Sequence, residues 1–384
     1  MTEIYYKQKE DGFAPFYQKM QGRSPAVVYD ANTRPFAEEL LKELGDGPAG
    51  MTEIFFPDPE LVPDEEVYET VIRMAEGCDY VLAVGSGSLN DVCKYAGTKL
   101  EIPSGVLATA ASMDGYLSKG SALMEKGVKV TETVQMPEDV LVDPQIAAAA
   151  PKLMTAAGFG DIVGKYTCLA DWQLAHILKG EEINTEAFAM MVEARDRLMD
   201  SFEELKSYSL PAVEKLLEAL LVAGTSMAVC GNSRPASGSE HHQSHFLEMD
   251  FVRRGETIPP HGVKVAIGTL VALTMYRDLE KRLREGTLTE EALRNCAGTA
   301  AGPEKLREEL LSLTGSLPSV EKIRGMLLEM GCPVRFSAIG VRRETMEEML
   351  RKAYTVRDRY TVLTLYHELG IMEEIIDELM EEFF

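Results

Sequence analysis

At residues 80–91 the chain reads Tyr80-Val81-Leu82-Ala83-Val84-Gly85-Ser86-Gly87-Ser88-Leu89-Asn90-Asp91, an apolar segment that passes through a glycine turn into a helical segment. Such a turn brings backbone N–H groups and the positive end of a helix to one point, where a pyrophosphate can bind. The third glycine of the usual dinucleotide fingerprint is absent, and on spacing alone the turn is equally often a plain strand-to-helix connection. The segment therefore predicts a strand followed by a helix, and leaves the cofactor open.

The same alternation extends on both sides of this turn. Apolar runs at 26–29, 52–56 and 140–143 are separated by segments with helical spacing. Strands that alternate with helices imply a parallel, doubly wound sheet. We therefore expect an α/β domain over residues 25–147, preceded by an N-terminal extension at residues 1–24.

After Pro144 the pattern becomes almost entirely helical. A chain of 384 residues with 45% hydrophobic content can bury enough surface for two domains. We therefore expect an all-α domain over residues 148–384. Its helices are predicted at 151–154, 161–178, 185–205, 210–222 and 262–284.

Composition excludes several classes of function. The formal net charge of −23 opposes binding to nucleic acid or to anionic membranes, and no run approaches the roughly 20 apolar residues of a membrane span. The six cysteines include no Cys-x-x-Cys pair, which argues against a zinc ribbon or a dithiol centre. We expect a soluble, cytoplasmic protein without nucleic-acid or membrane partners.

An acidic residue ends the first predicted strand of the α/β domain. Asp30 could accept hydrogen bonds from an adenosine ribose, or it could cap the helix that follows Thr33. In the usual fingerprint the acidic residue follows the glycines, whereas Asp30 precedes them. This order favours a sheet that differs from the common dinucleotide-binding arrangement.

Histidines concentrate in one short part of the helical region. Of six in the chain, four fall at His241, His242, His245 and His261, and the first and third of these share a helical face. His261 stands where a helix begins. Two histidines with a distant aspartate such as Asp161 would suit a catalytic divalent metal. The alternatives are a surface patch or buried histidines for the cluster, and a plain helix N-cap for Asp161.

Four segments together resemble the glycerol-1-phosphate dehydrogenases. That family stands in the superfamily of glycerol dehydrogenase, iron-type alcohol dehydrogenase and 3-dehydroquinate synthase. The resemblance implies a dehydroquinate synthase-like fold, with an α/β domain and a helical domain and with the cofactor and metal in the cleft between them. The matching segments are Gly85 to Asp91, Thr109 to Gly115, Gly158 to Tyr166, and Ser233 to His241 with Pro260-His261-Gly262.

The resemblance also implies roles for individual residues. It places one divalent metal, which could be zinc, nickel or iron, on Asp161, His241 and His261. It places NAD(H) or NADP(H) on Asp30, on the turn Gly85, Ser86, Gly87 and Ser88 with Asp91, and on Thr109, Ser112 and Ser118 at the nicotinamide end. Asp114 would face the substrate hydroxyls, and Asp114 or His245 could deliver a proton. Thr109, Ser112 and Ser118 are otherwise ordinary loop residues, and Asp114-Gly115 is otherwise an ordinary turn.

The implied reaction is the reversible, metal-dependent reduction of dihydroxyacetone phosphate to sn-glycerol 1-phosphate by NAD(P)H, in a homodimer of a lipid-related pathway. The substrate phosphate needs a cation, and Lys165, Arg234, Lys119 and Lys264 stand nearest the motifs. Three rivals are open. They are a dehydrogenase of glycerol or another unphosphorylated polyol, a lyase of the dehydroquinate synthase kind, and a non-catalytic metal-binding protein.

Overall fold

The computed structural model describes residues 2–59 and 61–384, which form two compact units. The first unit comprises the chain up to Thr155 together with Leu198–Ala228, and the second comprises Ala156–Arg197 with Val229–Phe384. The strands are β1 (Glu3–Tyr6), β2 (Pro25–Asp30), β3 (Thr52–Phe56), β4 (Tyr80–Gly85), β5 (Ser104–Ala108), β6 (Gly120–Glu125), β7 (Val128–Thr133) and β8 (Asp139–Val142).

Helices surround the sheet in the first unit and make up most of the second. They are α1 (Ala14–Lys19), α2 (Arg34–Leu44), α3 (Glu65–Met74), α4 (Gly87–Leu100), α5 (Pro144–Ala149), α6 (Lys152–Val163), α7 (Lys165–Lys179), α8 (Thr185–Asp200), α9 (Phe202–Leu205), α10 (Leu210–Cys230), α11 (Ser239–Arg254), α12 (His261–Glu285), α13 (Glu290–Cys296), α14 (Pro303–Gly315), α15 (Val320–Glu329), α16 (Arg343–Lys352), α17 (Val362–Glu368) and α18 (Met372–Phe383).

The main sheet is parallel throughout, as the alternation of strands and helices predicts. Its strand order is β1-β8-β5-β4-β2-β3, and β6 and β7 form a separate antiparallel hairpin. If β2, β3, β4, β5 and β8 are numbered 1 to 5, the order becomes 2-1-3-4-5, one of the two common doubly wound arrangements. The expectation that the sheet differs from the usual dinucleotide-binding order is thus confirmed.

The N-terminal segment belongs to the sheet rather than extending from it. Strand β1 pairs in parallel with β8, with Ile4 opposite Val140, and Phe16 and Met20 from the α1 region are buried in the core beside Leu82. The prediction of a separate extension at residues 1–24 differs from this arrangement. Strand β1 is too short and too mixed in polarity to be recognised without its partner.

The division of the helical part also differs from the predicted boundary at residue 147. Helix α10 returns to the first unit, where Gly224 lies so close to the turn after β5 that an added Cβ would be 2.8 Å from the Leu117 Cβ. The first unit therefore includes helical residues that follow the predicted boundary. Among the residues described, no helix combines the length and apolar character needed to cross a membrane.

Candidate active site

Three predicted metal ligands from distant parts of the chain meet in the second unit. Asp161 comes from α6, His241 from α11 and His261 from the first position of α12. One ligand atom from each lies within 4.8 Å of the others, and His241 Nε2 is 3.6 Å from Asp161 Oδ1. Asp161 and His241 are buried and His261 is partly exposed. This arrangement could hold one cation and keep a side open to solvent.

Close helix packing makes the cluster possible. Gly262 lies directly against α6, where a Cβ would come within 1.9 Å of the Ala157 carbonyl oxygen. Because Asp161 stands one turn beyond Ala157, this approach brings it to His261. Asp161 lies in the last turn of α6, so the alternative that it merely caps a following helix is wrong.

Two carboxylates hold the outer nitrogens of the two histidines. His241 Nδ1 lies 2.7 Å from Glu240 Oε1, and His261 Nδ1 lies 3.1 Å from Glu248 Oε1. A carboxylate that accepts a hydrogen bond from Nδ1–H fixes the tautomer in which Nε2 offers its lone pair to a metal. Two imidazoles so arranged with one carboxylate fit a borderline divalent metal, and suit zinc, nickel and iron alike.

Neither carboxylate was predicted, although the sequence contains a signal for one. Glu248 follows His241 by two helical turns and therefore shares its face of α11. Glu240 is recognisable only in three dimensions, where its other oxygen accepts a 2.6 Å bond from Thr167 Oγ1. Burial raises the pKa of Glu240, and the bonds from Thr167 and the Gly238 backbone oppose that rise.

Lys165 pairs with a predicted ligand. Its Nζ donates to Asp161 Oδ1 and to the Ala236 carbonyl oxygen, each at 2.9 Å, and the side chain is fully buried. Burial alone would raise the pKa of Asp161, but the charges of Lys165, His261 and His241 hold it below its usual value. Asp161 is therefore a carboxylate at neutral pH, as a metal ligand must be.

His245 lies next to the cluster. Its ring centre is 6.0 Å from that of His241 and 5.9 Å from that of His261, and it is partly exposed. Together with Glu248 and His261 it forms a second group that could bind a cation. Asp114, the other predicted proton donor, lies in the first unit at the start of a short turn over Gly115–Leu117.

The glycine turn stands where a doubly wound sheet binds ligands. Residue Tyr29 of β2 is in register with Val84 of β4, so Asp30 and Gly85 end adjacent strands. The connection after β2 leads to β3 on one side of the sheet, and the connection after β4 leads to β5 on the other. The crevice beyond the carboxyl ends at such a switch point is the usual ligand site. The Asp30 carboxylate accepts from Thr33 N at 2.9 Å, and Thr33 is itself the N-cap of α2, so Asp30 stabilises the turn before the helix and does not cap it. The ribose contact stays a prediction.

The predicted residues Asp91 and Ser118 join a buried network around Lys94, a residue that the sequence did not single out. Lys94 Nζ lies 2.9 Å from Asp91 Oδ1 and 3.1 Å from Ser118 Oγ, and donates to the Gly120 carbonyl oxygen at 2.7 Å. The other Asp91 oxygen accepts from the Ala122 backbone. These groups fasten the turn after β5 and strand β6 to α4.

The remaining predicted residues of the first unit lie beside this network. Thr109, at the end of β5, donates its backbone N–H to the Gly85 carbonyl oxygen at 3.1 Å. Both Thr109 and Ser112 are buried. Lys119 is exposed in the same unit.

The other predicted cations are bonded within the second unit. Arg234 is buried and makes two bonds to Glu181, from Nε at 2.7 Å and from Nη2 at 2.6 Å. Lys264 is fully buried, donates to the Pro259 carbonyl oxygen and lies 3.4 Å from Glu248 Oε1.

Known proteins share the fold of this chain. Residues 10–151 match the family model for iron-containing alcohol dehydrogenase. The fold is that of the glycerol dehydrogenase from Schizosaccharomyces pombe, with a TM-score of 0.67 and 15% identity over 99% of this chain and 91% of that structure. The whole chain therefore has the fold of this glycerol dehydrogenase, and residues 10–151 resemble the iron-containing alcohol dehydrogenases.

Relatives with higher sequence identity define the family. The chain is 32% identical to a glycerol-1-phosphate dehydrogenase (NAD(P)+) of Bacillus velezensis, over 92% of this chain and 87% of the relative. It is 33% identical to the protein of the same name from Halalkalibacterium halodurans, over 96% and 92%. The chain belongs to the glycerol-1-phosphate dehydrogenase family.

Proposed function

We propose that this protein catalyses the reversible reduction of dihydroxyacetone phosphate to sn-glycerol 1-phosphate by NAD(P)H, with one divalent metal. One observation carries the proposal. Asp161, His241 and His261 converge with both histidine Nδ1 atoms held by carboxylates, in a chain of the glycerol-1-phosphate dehydrogenase family. The donor set is complete, which counts against a non-catalytic relative.

Asp161, His241 and His261 would hold the metal. When bound, it supplies Lewis-acid polarisation of the substrate carbonyl, while the nicotinamide supplies the hydride. Glu240 and Glu248 keep the two imidazoles in the ligating tautomer.

Reduction also consumes one proton at the substrate oxygen. His245 is the side chain that we assign to this step, because it is partly exposed and adjoins both ligand histidines. An imidazole ring can carry a proton on either nitrogen and exchange it with solvent. Asp114 stays the proposed contact for the substrate hydroxyls.

The first unit would bind the cofactor. We assign the diphosphate to the backbone of Gly85 to Ser88 at the start of α4, and the adenosine ribose to Asp30 across the switch point. Thr109 and Ser112 would line the nicotinamide end. Because Asp91 and Ser118 are engaged with Lys94, we assign them support of the turn rather than direct contact.

The test is NADH oxidation with dihydroxyacetone phosphate and, in parallel, with dihydroxyacetone. Each is measured before and after chelation, and after zinc, nickel or iron is added back. Metal-dependent turnover that strongly favours the phosphate ester over dihydroxyacetone would support the proposal. Turnover of only the unphosphorylated ketone would favour a polyol dehydrogenase. No net NADH consumption would favour a lyase or a protein without catalysis.

We further propose, on the family resemblance alone, that the protein is a homodimer. Light scattering coupled to size-exclusion chromatography tests this directly. A mass equal to twice the 42.4 kDa of one chain is the expected result.

A further inference from the structure

We propose that Arg357 binds the phosphate group of the substrate, in an anion site that it forms with Arg359 and Ser233 next to the metal-ligand cluster. The inference rests on the proposed function and names the group that recognises its phosphorylated substrate. Neither arginine stands near the sequence motifs. Both follow α16 in the chain, directly after the short turn Ala353–Thr355.

The buried cations close to the metal ligands are already committed to protein groups. Lys165 bonds to Asp161 and to a backbone carbonyl, Lys264 bonds to the Pro259 carbonyl, and Arg234 makes a two-bond pair with Glu181. Each of these side chains is at most 2% exposed. A substrate that enters from solvent needs a cation it can reach, and Arg357 and Arg359 are both partly exposed.

The two arginines are fixed by the same serine. Arg357 Nη1 lies 3.3 Å from Ser233 Oγ, and Arg359 Nη2 lies 3.0 Å from the same atom. Arg359 also donates to the backbone carbonyls of Ser233 and Ser237, so it holds the segment before α11 in place. Arg359 thus positions the site, and the Arg357 guanidinium presents the fork that suits a phosphate.

The site carries an excess of positive charge. Burial, followed by the charges of Arg234 and Arg357, lowers the pKa of Arg359 to about 10. Arginine guanidinium groups keep their positive charge in proteins at neutral pH. Glu181 pairs with Arg234, and the negative charge of Glu248 partly opposes the burial that lowers the pKa of Arg357.

Two residues next to Arg357 and Arg359 carry buried donors that have no hydrogen-bond partner within the described part of the chain. Over residues 2–59 and 61–384, the buried polar atoms that lack a hydrogen-bond partner include Arg234 Nη1 and Ser237 Oγ. A buried donor without a partner is costly unless a ligand or water satisfies it. A phosphate group has several acceptor oxygens for these donors, and its negative charge complements the arginines.

The arginine pair lies next to the segment that leads into the metal-ligand helix. Arg359 donates to the Ser237 carbonyl oxygen, and the neighbouring Ala236 carbonyl accepts from Lys165, whose other partner is the ligand Asp161. In dihydroxyacetone phosphate, three bonds separate the carbonyl carbon from phosphorus. The phosphate must therefore lie about one side chain away from the metal.

The experiment compares Arg357→Ala and Arg357→Lys with Arg335→Ala, an exposed arginine of the same unit. Because a charge-assisted contact to phosphate is lost, kcat/KM for dihydroxyacetone phosphate should fall about 30- to 100-fold in Arg357→Ala, chiefly through KM. The value for dihydroxyacetone should stay within about twofold, and Arg357→Lys should recover part of the loss. Arg335→Ala should match the unmodified protein.

Calorimetry with inorganic phosphate on the metal-loaded protein separates this inference from the proposed function. Binding that is present in the unmodified protein and in Arg335→Ala, and lost in Arg357→Ala, supports the site even if dihydroxyacetone phosphate is not turned over. Equal losses on both ketones would overturn the inference, since they would indicate a general effect through Glu248. Unchanged KM and unchanged phosphate binding in Arg357→Ala would overturn it as well.

Discussion

The two candidate sites are built in opposite ways. The turn at Gly85 to Ser88 joins a strand to the helix that follows it directly, so its geometry is set within twelve consecutive residues. The metal-ligand cluster joins α6, α11 and α12, and exists only because those helices pack closely. A site of the first kind is a property of a segment, whereas a site of the second kind is a property of the folded unit. Substitutions should therefore act differently on the two.

The largest effect is expected from His261→Ala. It removes a ligand from the second unit and leaves the β4–α4 turn untouched, so the protein should lose bound metal and about 1,000-fold or more in kcat/KM while keeping its affinity for NADH. Metal content by mass spectrometry and NADH fluorescence titration measure the two sites separately. His367→Ala, an exposed histidine of the same unit, is the matched control. Full metal content in His261→Ala would show that the cluster is not the metal site.

A smaller effect is expected from Glu248→Gln, which changes a neighbour of a ligand rather than a ligand. Without the carboxylate 3.1 Å from His261 Nδ1, the imidazole is less well oriented and less basic, and metal affinity should fall about 10- to 100-fold. Competition with a chromophoric chelator gives the dissociation constant. Glu256→Gln, on an exposed residue just beyond α11, should leave it unchanged. An unaltered constant in Glu248→Gln would contradict the orienting role.

The same contrast explains how far the sequence could predict this protein. Strands β2, β3, β4 and β8 were predicted from apolar runs between helical segments, and the parallel sheet followed from their alternation. Strand β1 was not predicted, because its four residues of mixed polarity form a strand only when they pair with β8. The local sequence pattern therefore predicts individual helices and strands, but it fails for a strand that forms only by pairing with another strand.

Within the candidate active site, residues that share a face of one helix can be predicted from their spacing in the sequence. Contacts that depend on packing between helices cannot be predicted in this way. His241 and His245 share a face of α11, and the same spacing could have identified Glu248. Arg357 could not be found this way, because nothing in the sequence links it to Ser233. Arg234 was proposed for the substrate phosphate because it stands beside a motif, yet it is buried against Glu181.

In the first unit, Gly85→Ala and Gly87→Ala should separate folding from cofactor binding. A Cβ on Gly85 would lie 2.5 Å from Leu89 Cδ1, so this variant should lose about 1–3 kcal/mol in the free energy of unfolding. A Cβ on Gly87 would meet Met113 at an ordinary 3.5 Å, so stability should change by less than about 1 kcal/mol.

NADH affinity is the second measurement on this pair. If the diphosphate rests on the turn, a methyl group on Gly87 obstructs its approach, and affinity should fall about tenfold, or 1.4 kcal/mol. Urea unfolding and fluorescence titration on both variants complete the comparison, with the metal content as a check on the second unit. Unchanged NADH affinity in Gly87→Ala would mean that the turn is only a strand-to-helix connection.

The smallest effect is expected from Asp30→Asn, which changes charge and keeps shape. The amide oxygen can still accept from the Thr33 backbone, so the start of α2 should stay intact. Removing a partly exposed negative charge from the end of β2 should relieve repulsion of a 2′-phosphate by about 1 kcal/mol. The ratio of kcat/KM for NADPH to that for NADH should then rise about fivefold. An unchanged ratio in a stably folded variant would leave Asp30 with only its bonds to the turn before α2, and would place the adenosine ribose elsewhere along the switch point.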